Sequence, residues 1–502
     1  MHSGELNPLG LVWGLAYGTL TLVFLVFGLH RLWITFLYRR HRRERVEAAG
    51  RFARLPVVTV QLPIFNEYYV ASRLLQAVAA LDYPRDRLEI QVLDDSTDET
   101  RELLAASVPL LQRDGFDVQL IHRANRSGYK AGALANGMRL ARGDLFLILD
   151  ADFLPTPDLL QRTVHFFTDE KVGMVQSRWG HLNREASWLT RAQAVLLDGH
   201  LLLEQTARSR SGRFFNFNGT AGLWRRTAID EAGGWQHDTL TEDLDLSYRA
   251  QLAGWRFVFL PDLVTPAELP PSMAAFKSQQ HRWTKGSIQT CLKLLPRVWQ
   301  SQWSWRIKLE ATIHLTSNFS YLALALLCLL IPPALGVEQN WVRFFLVDVP
   351  IFLGTTASVA IFYLAAQRVL RPGQWWREIW FLPWVLAVGI GLSVNNAKAV
   401  IEALVGHETG FARTPKFAGS TAARRRYRLR GDVLLPGLEL GLAIYFGGLM
   451  HFALQVGCYP PLPFLALFCL GFASASIGTL WPQVADWIEY RGRRTVEIAP
   501  AT

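Results

Sequence analysis

Apolar segments long enough to cross a lipid bilayer stand towards both ends of this 502-residue chain, and the stretch 55–306 between them contains none. A helix rises about 1.5 Å per residue, so about 20 apolar residues span the hydrocarbon core. The candidate segments are residues 11–29, 315–335, 349–367, 440–456 and 460–480. The sequence therefore predicts about five membrane-spanning helices attached to one soluble domain.

Basic residues predict the orientation of these helices. Residues 39–45, which follow the first apolar segment after nine further residues, contain five arginines. Such a flank marks the cytoplasmic side, so we expect the N-terminus outside, the soluble domain in the cytoplasm and a multi-pass protein of a bacterial inner membrane. A cleaved signal peptide would carry its charges before the apolar core instead. The net charge of +10 then reflects membrane flanks and the lipid bilayer, and no nucleic acid partner is expected.

Segment 379–397 is also long enough to span, but its flanks favour a position in the membrane interface. If it crossed, Lys416 and the basic run 424–430 would face outward, against the positive-inside tendency. Four tryptophans at 375–384 suit the headgroup level. We therefore predict an interfacial or re-entrant helix. The expected divisions are an anchor with a basic flank (1–54), the soluble domain (55–306), a membrane hairpin (307–370), the interfacial helix with its loop (371–431) and a second hairpin with a short tail (432–502).

The soluble domain has the pattern of an α/β fold. Short apolar runs at 57–62, 88–93, 118–122 and 145–149 alternate with helical stretches, which predicts a mostly parallel sheet. Acidic pairs follow two of these strands directly, Asp94 with Asp95 and Asp150 with Asp152. In open α/β sheets, ligands bind outside the carboxyl ends of the strands. We therefore expect a Rossmann-like domain with its ligand site at these residues.

Each acidic motif admits two interpretations. Asp150 and Asp152 can hold a hard divalent cation together with substrate phosphates, or form a solvated turn. Asp94 and Asp95 can bind a base or ribose, or cap the next helix. Asp243, in the run TED at 241–243, can act as a general base, or favour the positive end of a helix.

The run QQHRW at 279–283 combines a cation with an indole just before the apolar segments return. An arginine suits a pyrophosphate, and an indole suits the face of a sugar. The alternative is an interfacial tryptophan beside an arginine that extends to the membrane surface.

Together and in this order, these elements resemble the processive enzymes of glycosyltransferase family 2, such as cellulose, chitin and hyaluronan synthases. That resemblance implies a cytoplasmic catalytic domain of α/β GT-A (Rossmann-like) fold at 55–306 and an α-helical transmembrane region. Stretches 90–100, 175–183, 217–225, 231–235, 241–250 and 279–283 look most like the cellulose synthase-like A group, the mannan and glucomannan synthases.

Carried over residue by residue, the resemblance implies the residues that bind the donor. Either Asp94 or Asp95 would bind the nucleotide. Asp150 and Asp152 would face the diphosphate, with Asp152 as the main ligand of Mg²⁺ or Mn²⁺. Four further residues would line the same pocket or hold the donor: Pro63, Asn66, Glu67 and Lys130.

The resemblance also implies the residues around the reaction centre. Asp243, beside Glu242, would be the catalytic base. Stretch 217–220 reads FNGT and not the FCGS of cellulose-type enzymes, which weakens a strict cellulose assignment. The remaining residues would contact the diphosphate and the acceptor end (Gln279, Arg282, Trp283), the acceptor sugar (Phe217, Asn218, Gly219, Thr220), or the bound nucleotide from a stretch that resembles a gating loop (Thr414, Lys416).

We therefore expect an inverting, metal-dependent hexosyltransferase. A sugar 4-hydroxyl, deprotonated by Asp243, would attack GDP-mannose, GDP-glucose or UDP-glucose, and the growing β-1,4-linked mannan or glucomannan would leave between the membrane helices. One alternative is a non-processive enzyme that glycosylates a lipid carrier. The other is a catalytically inactive membrane transporter or scaffold.

Overall fold

The computed structural model describes residues 8–335, 349–408, 410, 416 and 433–497. Its α/β domain is built on a seven-stranded sheet with the order β3–β2–β1–β4–β6–β5–β7. The strands are β1 (Val58–Ile64), β2 (Leu88–Asp94), β3 (Asp117–His122), β4 (Leu145–Ile148), β5 (Val172–His181), β6 (Gly222–Arg225) and β7 (Arg256–Ala267). The four strands that the sequence predicts are β1 to β4.

The sheet is parallel in one half and mixed in the other. Strand β1 lies between β2 and β4, and β2 pairs with β3, all in parallel. Strand β6 runs antiparallel to β4 and β5, and β5 pairs in parallel with β7. Val58, Val60 and Leu62 of β1 are fully buried, as expected for a strand covered on both faces. The predicted α/β class is confirmed.

Helices cover both faces of the sheet and then continue beyond it. In the α/β domain they are α2 (Tyr68–Ala79), α3 (Thr100–Arg113), α4 (Tyr129–Leu140), α5 (Leu159–Thr163), α6 (Trp188–Asp198), α7 (Gln205–Arg210), α8 (Arg226–Glu231) and α9 (Glu242–Leu252). Outside it are α1 (Pro8–His41), α10 (Met273–Gln300), α11 (Trp305–Thr316), α12 (Phe319–Leu335), α13 (Val349–Phe352), α14 (Ser358–Leu370), α15 (Arg377–Gly391), α16 (Ser393–Leu404), α17 (Leu434–Gln455) and α18 (Leu462–Glu497).

The carboxyl ends of β1, β2 and β4 meet at one edge of the sheet. After β1 the chain turns through Asn66, which has a φ of +55° and holds Thr97 N by its side-chain oxygen (2.8 Å). Asp95 follows β2, and Asp150 follows β4. Because the strands are parallel, the loops that carry these side chains lie next to one another, as the sequence predicts.

Several helices outside the α/β domain are long and apolar enough to cross a membrane. Among the described residues five pass this test, and α11 with α12, bent by 55°, forms a sixth candidate. The five are Gly10–His41, Leu353–Leu370, Arg377–Leu404, Leu434–Gln455 and Leu462–Ala485. Their exposed apolar side chains, such as Leu15 and Ile444, fit a lipid environment.

The segment predicted to be interfacial forms the helix pair α15–α16. Near its start, Glu378 pairs with Arg191 of α6 at 3.1 Å. Near its end, Glu402 pairs with Lys285 of α10 at 3.1 Å. Lys416, which follows the pair in the chain, reaches the carboxyl edge of the sheet. The start of the pair therefore contacts the α/β domain, and its end contacts α10.

Helix α10 links the α/β domain to the last two helices. Ser272 accepts a hydrogen bond from Ala275 N and so caps its N-terminus (3.3 Å). Further along, the buried Lys277 donates to Glu439 of α17 (2.7 Å) and to Thr479 of α18 (3.3 Å). This ion pair couples the run at 279–283 to α17 and α18.

Candidate active site

A cavity of about 190 Å³ opens at the carboxyl edge of the sheet. Most of the residues singled out in the sequence line it, although they come from eight separate stretches of chain. They are Pro63, Glu67, Asp95, Lys130, Asp150, Asp152, Asn218, Gly219, Glu242, Asp243, Gln279, Arg282, Trp283 and Lys416. The structure thus joins motifs that lie up to 353 positions apart in the chain, counted from Pro63 to Lys416.

The two acidic residues after β4 both carry a cationic partner. The ammonium group of Lys130, on α4, donates to Asp150 and to the carbonyl oxygen of Gly219 (2.9 Å). Asp152 Oδ2 accepts from Lys416 Nζ (2.7 Å) and from the backbone N–H of Glu268 (3.1 Å). Burial alone would lower the pKa of Lys130, but nearby carboxylates, Asp150 first, raise it. The carboxylates around Lys130 therefore favour a positive charge at this point of the cavity.

The same two carboxylates fit a hard divalent cation. Among the described residues, no group of three or more His, Cys, Asp or Glu side chains could hold a metal unaided. Asp150 and Asp152 would supply two oxygen ligands, and Mg²⁺ commonly completes its shell with water and substrate phosphates. The donor set therefore suits a metal that arrives with a diphosphate.

Asp243 lies in the first turn of α9, at the positive end of the helix. Leu244 N donates to Asp243 Oδ1 (2.8 Å). Gly219 approaches it closely: a Cβ there would lie 3.0 Å from Asp243 Oδ2, and the φ of Gly219 is +84°, so both space and backbone favour glycine. Burial, and then the neighbouring Glu242 carboxylate, raise the pKa of Asp243 to about 7. A carboxyl with this pKa can exchange a proton near neutral pH.

Helix α10 presents Gln279, Arg282 and Trp283 to the cavity, because residues three and four apart share one face of a helix. Burial lowers the pKa of Arg282, and the carboxylates of Glu242, Asp150 and Asp243 oppose that effect. Its guanidinium group therefore lies among three acidic side chains. The arrangement offers one cation and one indole to a ligand.

The two aspartates after β2 have different environments. Asp94 is fully buried, accepts from Ser96 N (2.9 Å) and contacts His122 Nδ1 (2.9 Å), so it holds the loop together. Asp95 lines the cavity and is held by Arg123 through both carboxylate oxygens, at 2.8 and 2.5 Å. Of the two, only Asp95 can contact a ligand in this cavity.

The four residues of the stretch 217–220 also fall into two pairs: two are buried away from the cavity, and two line it. Phe217 is fully buried and packs edge-on against Trp224, with ring centroids 5.6 Å apart. Thr220 is also buried, and its hydroxyl accepts from Asp150 N (2.8 Å), which fixes the loop after β4. Asn218 and Gly219 line the cavity. Thr414 lies outside the described residues.

A second cavity, of about 530 Å³, continues from the first. Asp243, Asn218 and Trp283 line both cavities. Many of the other lining residues come from helices outside the α/β domain, for example Phe27 of α1 and Tyr321 of α12, and the turn Gly199–Glu204 contributes His200 and Glu204. A path therefore leads from Asp243 into the helical region.

Several lining residues carry no signal in a single sequence. Trp179 and His181 lie in the stretch 175–183, which resembles the family, but that resemblance gave them no role. His181 Nε2 contacts Asp198 Oδ1 (3.1 Å), and this partner helps to lower the pKa of Asp198 to about 2 against the effect of burial. Arg126 lines the cavity after β3. Only the sheet topology brings these side chains to the site.

Comparisons with known proteins agree with this geometry. Residues 56–286 match the model of the family "Glycosyltransferase like family 2". Glucomannan 4-beta-mannosyltransferase 1 of Oryza sativa subsp. japonica is 33% identical over 450 residues, 85% of this chain and 84% of the relative. Glucomannan 4-beta-mannosyltransferase 2 of Arabidopsis thaliana is 43% identical over 248 residues, 48% of this chain and 46% of the relative.

Among solved structures, a mannosyltransferase from Pyrobaculum calidifontis in complex with GDP-Man and Mn²⁺ has a TM-score of 0.54 at 20% identity. The match covers 78% of this chain and all of the other, and it supports the GT-A fold. The expected fold and family are both confirmed. This chain belongs to glycosyltransferase family 2 and, within it, to the cellulose synthase-like A group.

Proposed function

We propose that the protein transfers mannose from GDP-mannose to the end of a growing β-1,4-linked mannan or glucomannan. The observation that carries this proposal is the single cavity in which Asp243 stands beside Lys130, Arg282 and the Asp150–Asp152 pair. A base, two cations and a pair of metal-binding carboxylates are the groups that transfer from a nucleoside diphosphate requires. The names of the relatives support mannose as the sugar.

In the proposed reaction, Asp243 takes the proton of the acceptor 4-hydroxyl as its oxygen attacks the anomeric carbon. The new C–O bond forms on the face opposite to the diphosphate, and the old C–O bond breaks with its electron pair on the leaving group. The α-linked donor thus yields a β-linked product. The pKa of Asp243, raised to about 7, makes it a stronger base than an exposed aspartate.

The leaving diphosphate needs positive charge on its developing negative oxygens. Arg282 and Lys130 supply two cations, and Trp283 would stack on the acceptor sugar. Asp150 and Asp152 would hold Mn²⁺ or Mg²⁺, which supplies further charge neutralisation when bound. Lys416 contacts Asp152 and would close the site over the nucleotide.

The second cavity supports a path for the polymer. It begins at Asp243 and Trp283 and continues between α1, α10 and α15. A processive enzyme that exports its product needs such a path, whereas a single-transfer enzyme does not. We propose that the α/β domain is cytoplasmic and that α15–α16 lies in the membrane interface, which the contacts of Glu378 and Glu402 with that domain and α10 support.

The purified full chain would be incubated separately with GDP-mannose, GDP-glucose and UDP-glucose in the presence of Mn²⁺. We expect nucleotide release and ethanol-insoluble product from GDP-mannose. Product that partitions into organic solvent would instead indicate transfer to a lipid carrier. No release from any donor would overturn the proposal and favour an inactive scaffold.

A further inference from the structure

A polar cluster lines the second cavity beside the proposed reaction centre. His200 and Glu204 lie on the π-helical turn Gly199–Glu204, which joins α6 to α7. Single π-helical turns inside α-helices are frequent at functional sites. The side chain of His200 is 31% exposed and that of Glu204 is 21% exposed, and both line the cavity together with Asn218. The reaction proposed above gives no role to His200 or Glu204.

Hydrogen bonds connect the cluster to the stretch 217–220. His200 Nδ1 lies 3.0 Å from Glu204 Oε2, and its Nε2 lies 3.3 Å from Asn218 Oδ1. Gln205 donates to the same Asn218 oxygen at 2.9 Å, and so does Asn216 at 3.0 Å. His200 Nε2 has a second contact of 3.3 Å with Gln205 Nε2. Both contacts of this nitrogen are longer than a usual hydrogen bond, so a ligand hydroxyl at a shorter distance would replace one of them.

Two polar groups of the cluster, the amide of Asn218 and the carboxylate of Glu204, each have an atom available for a further hydrogen bond. Asn218 Nδ2 is buried and has no hydrogen-bond partner among the described residues. The contacts of Glu204 with His200 and Arg208 both use Oε2, which leaves Oε1 for another donor. A buried amide donor without an acceptor is costly, so a bound ligand that accepts from it would stabilise the site.

The cluster is held rigidly from behind. Arg208 donates to Glu204 Oε2 (3.1 Å) and to Glu310 Oε1 (3.0 Å), and His30 of α1 also contacts Glu310 Oε1 (3.0 Å). Burial would raise the pKa of Glu204, but Arg208 and His200 outweigh it and hold the pKa well below its usual range. The carboxylate is therefore ionised and fixed in place, as a recognition group must be.

We propose that His200, Glu204 and Asn218 form a subsite that binds the hydroxyl groups of the acceptor chain next to Asp243. This inference rests on the proposed function. A sugar hydroxyl donates one hydrogen bond and accepts others, so it can donate to the Glu204 carboxylate and accept from the Asn218 amide. The subsite would select a hexose end whose hydroxyls match these groups. In the proposed function the donor would bind in the first cavity beside Lys130, whereas His200 and Glu204 line the second cavity.

The test compares acceptor binding in three proteins: the wild type, His200→Gln and Glu204→Gln. Binding of β-1,4-mannotetraose to the detergent-purified full chain would be measured by calorimetry with GDP and Mn²⁺ present. His165→Gln is the matched control, because His165 bonds Phe52 N and does not line either cavity. His200→Gln keeps the ion pair between the buried Arg208 and Glu204, so its fold should survive even if Glu204→Gln is unstable.

We expect His200→Gln to bind mannotetraose about tenfold more weakly than the wild type and the control, while GDP-mannose affinity changes less than about twofold. Equal affinity in all proteins, no binding to the wild type, or an equal loss of donor affinity would overturn the inference. The proposed function fails separately, if the wild type binds both ligands but transfers no mannose.

Discussion

Asp243 is the residue on which the proposed chemistry depends, and its environment predicts the pH dependence. Burial and the adjacent Glu242 carboxylate raise its pKa to about 7. A base must be deprotonated, so kcat/KM should fall about tenfold per pH unit below pH 7. Above that pH the base is already ionised, and this group limits the rate no further.

Replacing Glu242 by Gln tests this electrostatic coupling. The change removes a negative charge beside Asp243, so the pKa of Asp243 should fall. We expect the acidic limb of the pH–rate profile to move to lower pH, as measured by mannose transfer between pH 5 and 9. Glu102→Gln, an exposed change on α3, is the control. An unchanged or upward-shifted limb would contradict the assignment of Asp243 as the base.

Asp152 and its neighbour Asp150 predict a metal requirement. Removing divalent cations with a chelator should abolish transfer, and Mn²⁺ should restore it. Asp152→Asn removes one anionic ligand, so the half-saturating Mn²⁺ concentration should rise at least about tenfold. Full activity in the chelator, or an unchanged Mn²⁺ requirement in Asp152→Asn, would exclude the proposed metal ligand.

Individual residues also show where a single sequence is ambiguous. Asp94 and Asp95 are identical adjacent residues in the sequence, and both side chains are buried, but only Asp95, the first residue after β2, lines the cavity. Likewise, Phe217 and Thr220 are buried and do not line the cavity, whereas Asn218 and Gly219 do. The motif identifies the loop, and the local backbone decides which side chain reaches the ligand.

Among the secondary-structure elements, the parallel strands were predictable and the long-range couplings were not. Apolar runs bounded by turn residues indicate β1 to β4 directly. The ion pair between Lys277 of α10 and Glu439 of α17 joins positions 162 apart in the chain, and no local sequence pattern predicts it. The π-helical turn at Gly199–Glu204 continues a helical pattern, so periodicity does not reveal it either.

The Lys277–Glu439 pair predicts how α10 is held. Both side chains are buried, so Glu439→Ala leaves a buried ammonium without its carboxylate. We expect a loss of about 3–5 kcal/mol in stability, measured by unfolding in detergent, with reduced kcat because Arg282 and Trp283 lose their support. The double change Lys277→Met with Glu439→Met should recover most of the stability. A single variant as stable as the wild type would contradict this account of α10.

For the molecule as a whole, the helix pair α15–α16 decides the topology. If it lies in the interface, a residue after α16 stays on the same side as the α/β domain. His407→Cys and Asp114→Cys, both at exposed positions, would be made separately in a chain whose four native cysteines are replaced by Ser. We expect an impermeant maleimide to label both only from the cytoplasmic face of membrane vesicles. Labelling of position 407 from the outside would mean that α15–α16 crosses the membrane.

At the scale of the whole molecule, the sequence was most informative about the arrangement of apolar segments around the α/β domain. Four of the five predicted apolar segments overlap a helix that passes the length and apolarity test in the described residues, and 315–335 lies in the bent pair α11–α12. The fifth passing helix, Arg377–Leu404, contains the segment that the sequence predicts to be interfacial. The path between the two cavities could not be predicted, because α1, α10 and α15 come together only after folding.

The central claim is that one cavity polymerises mannose with Asp243 as the base. The most direct measurement is incorporation of labelled mannose from GDP-mannose into insoluble product by the purified full chain, followed by digestion with β-mannanase. Asp243→Asn keeps the size and fold of the site and serves as the matched variant. We predict β-mannanase-sensitive polymer from the wild type and at least about a thousandfold less from Asp243→Asn. Equal polymer from both proteins, or a wild-type product that β-mannanase does not degrade, would contradict the account.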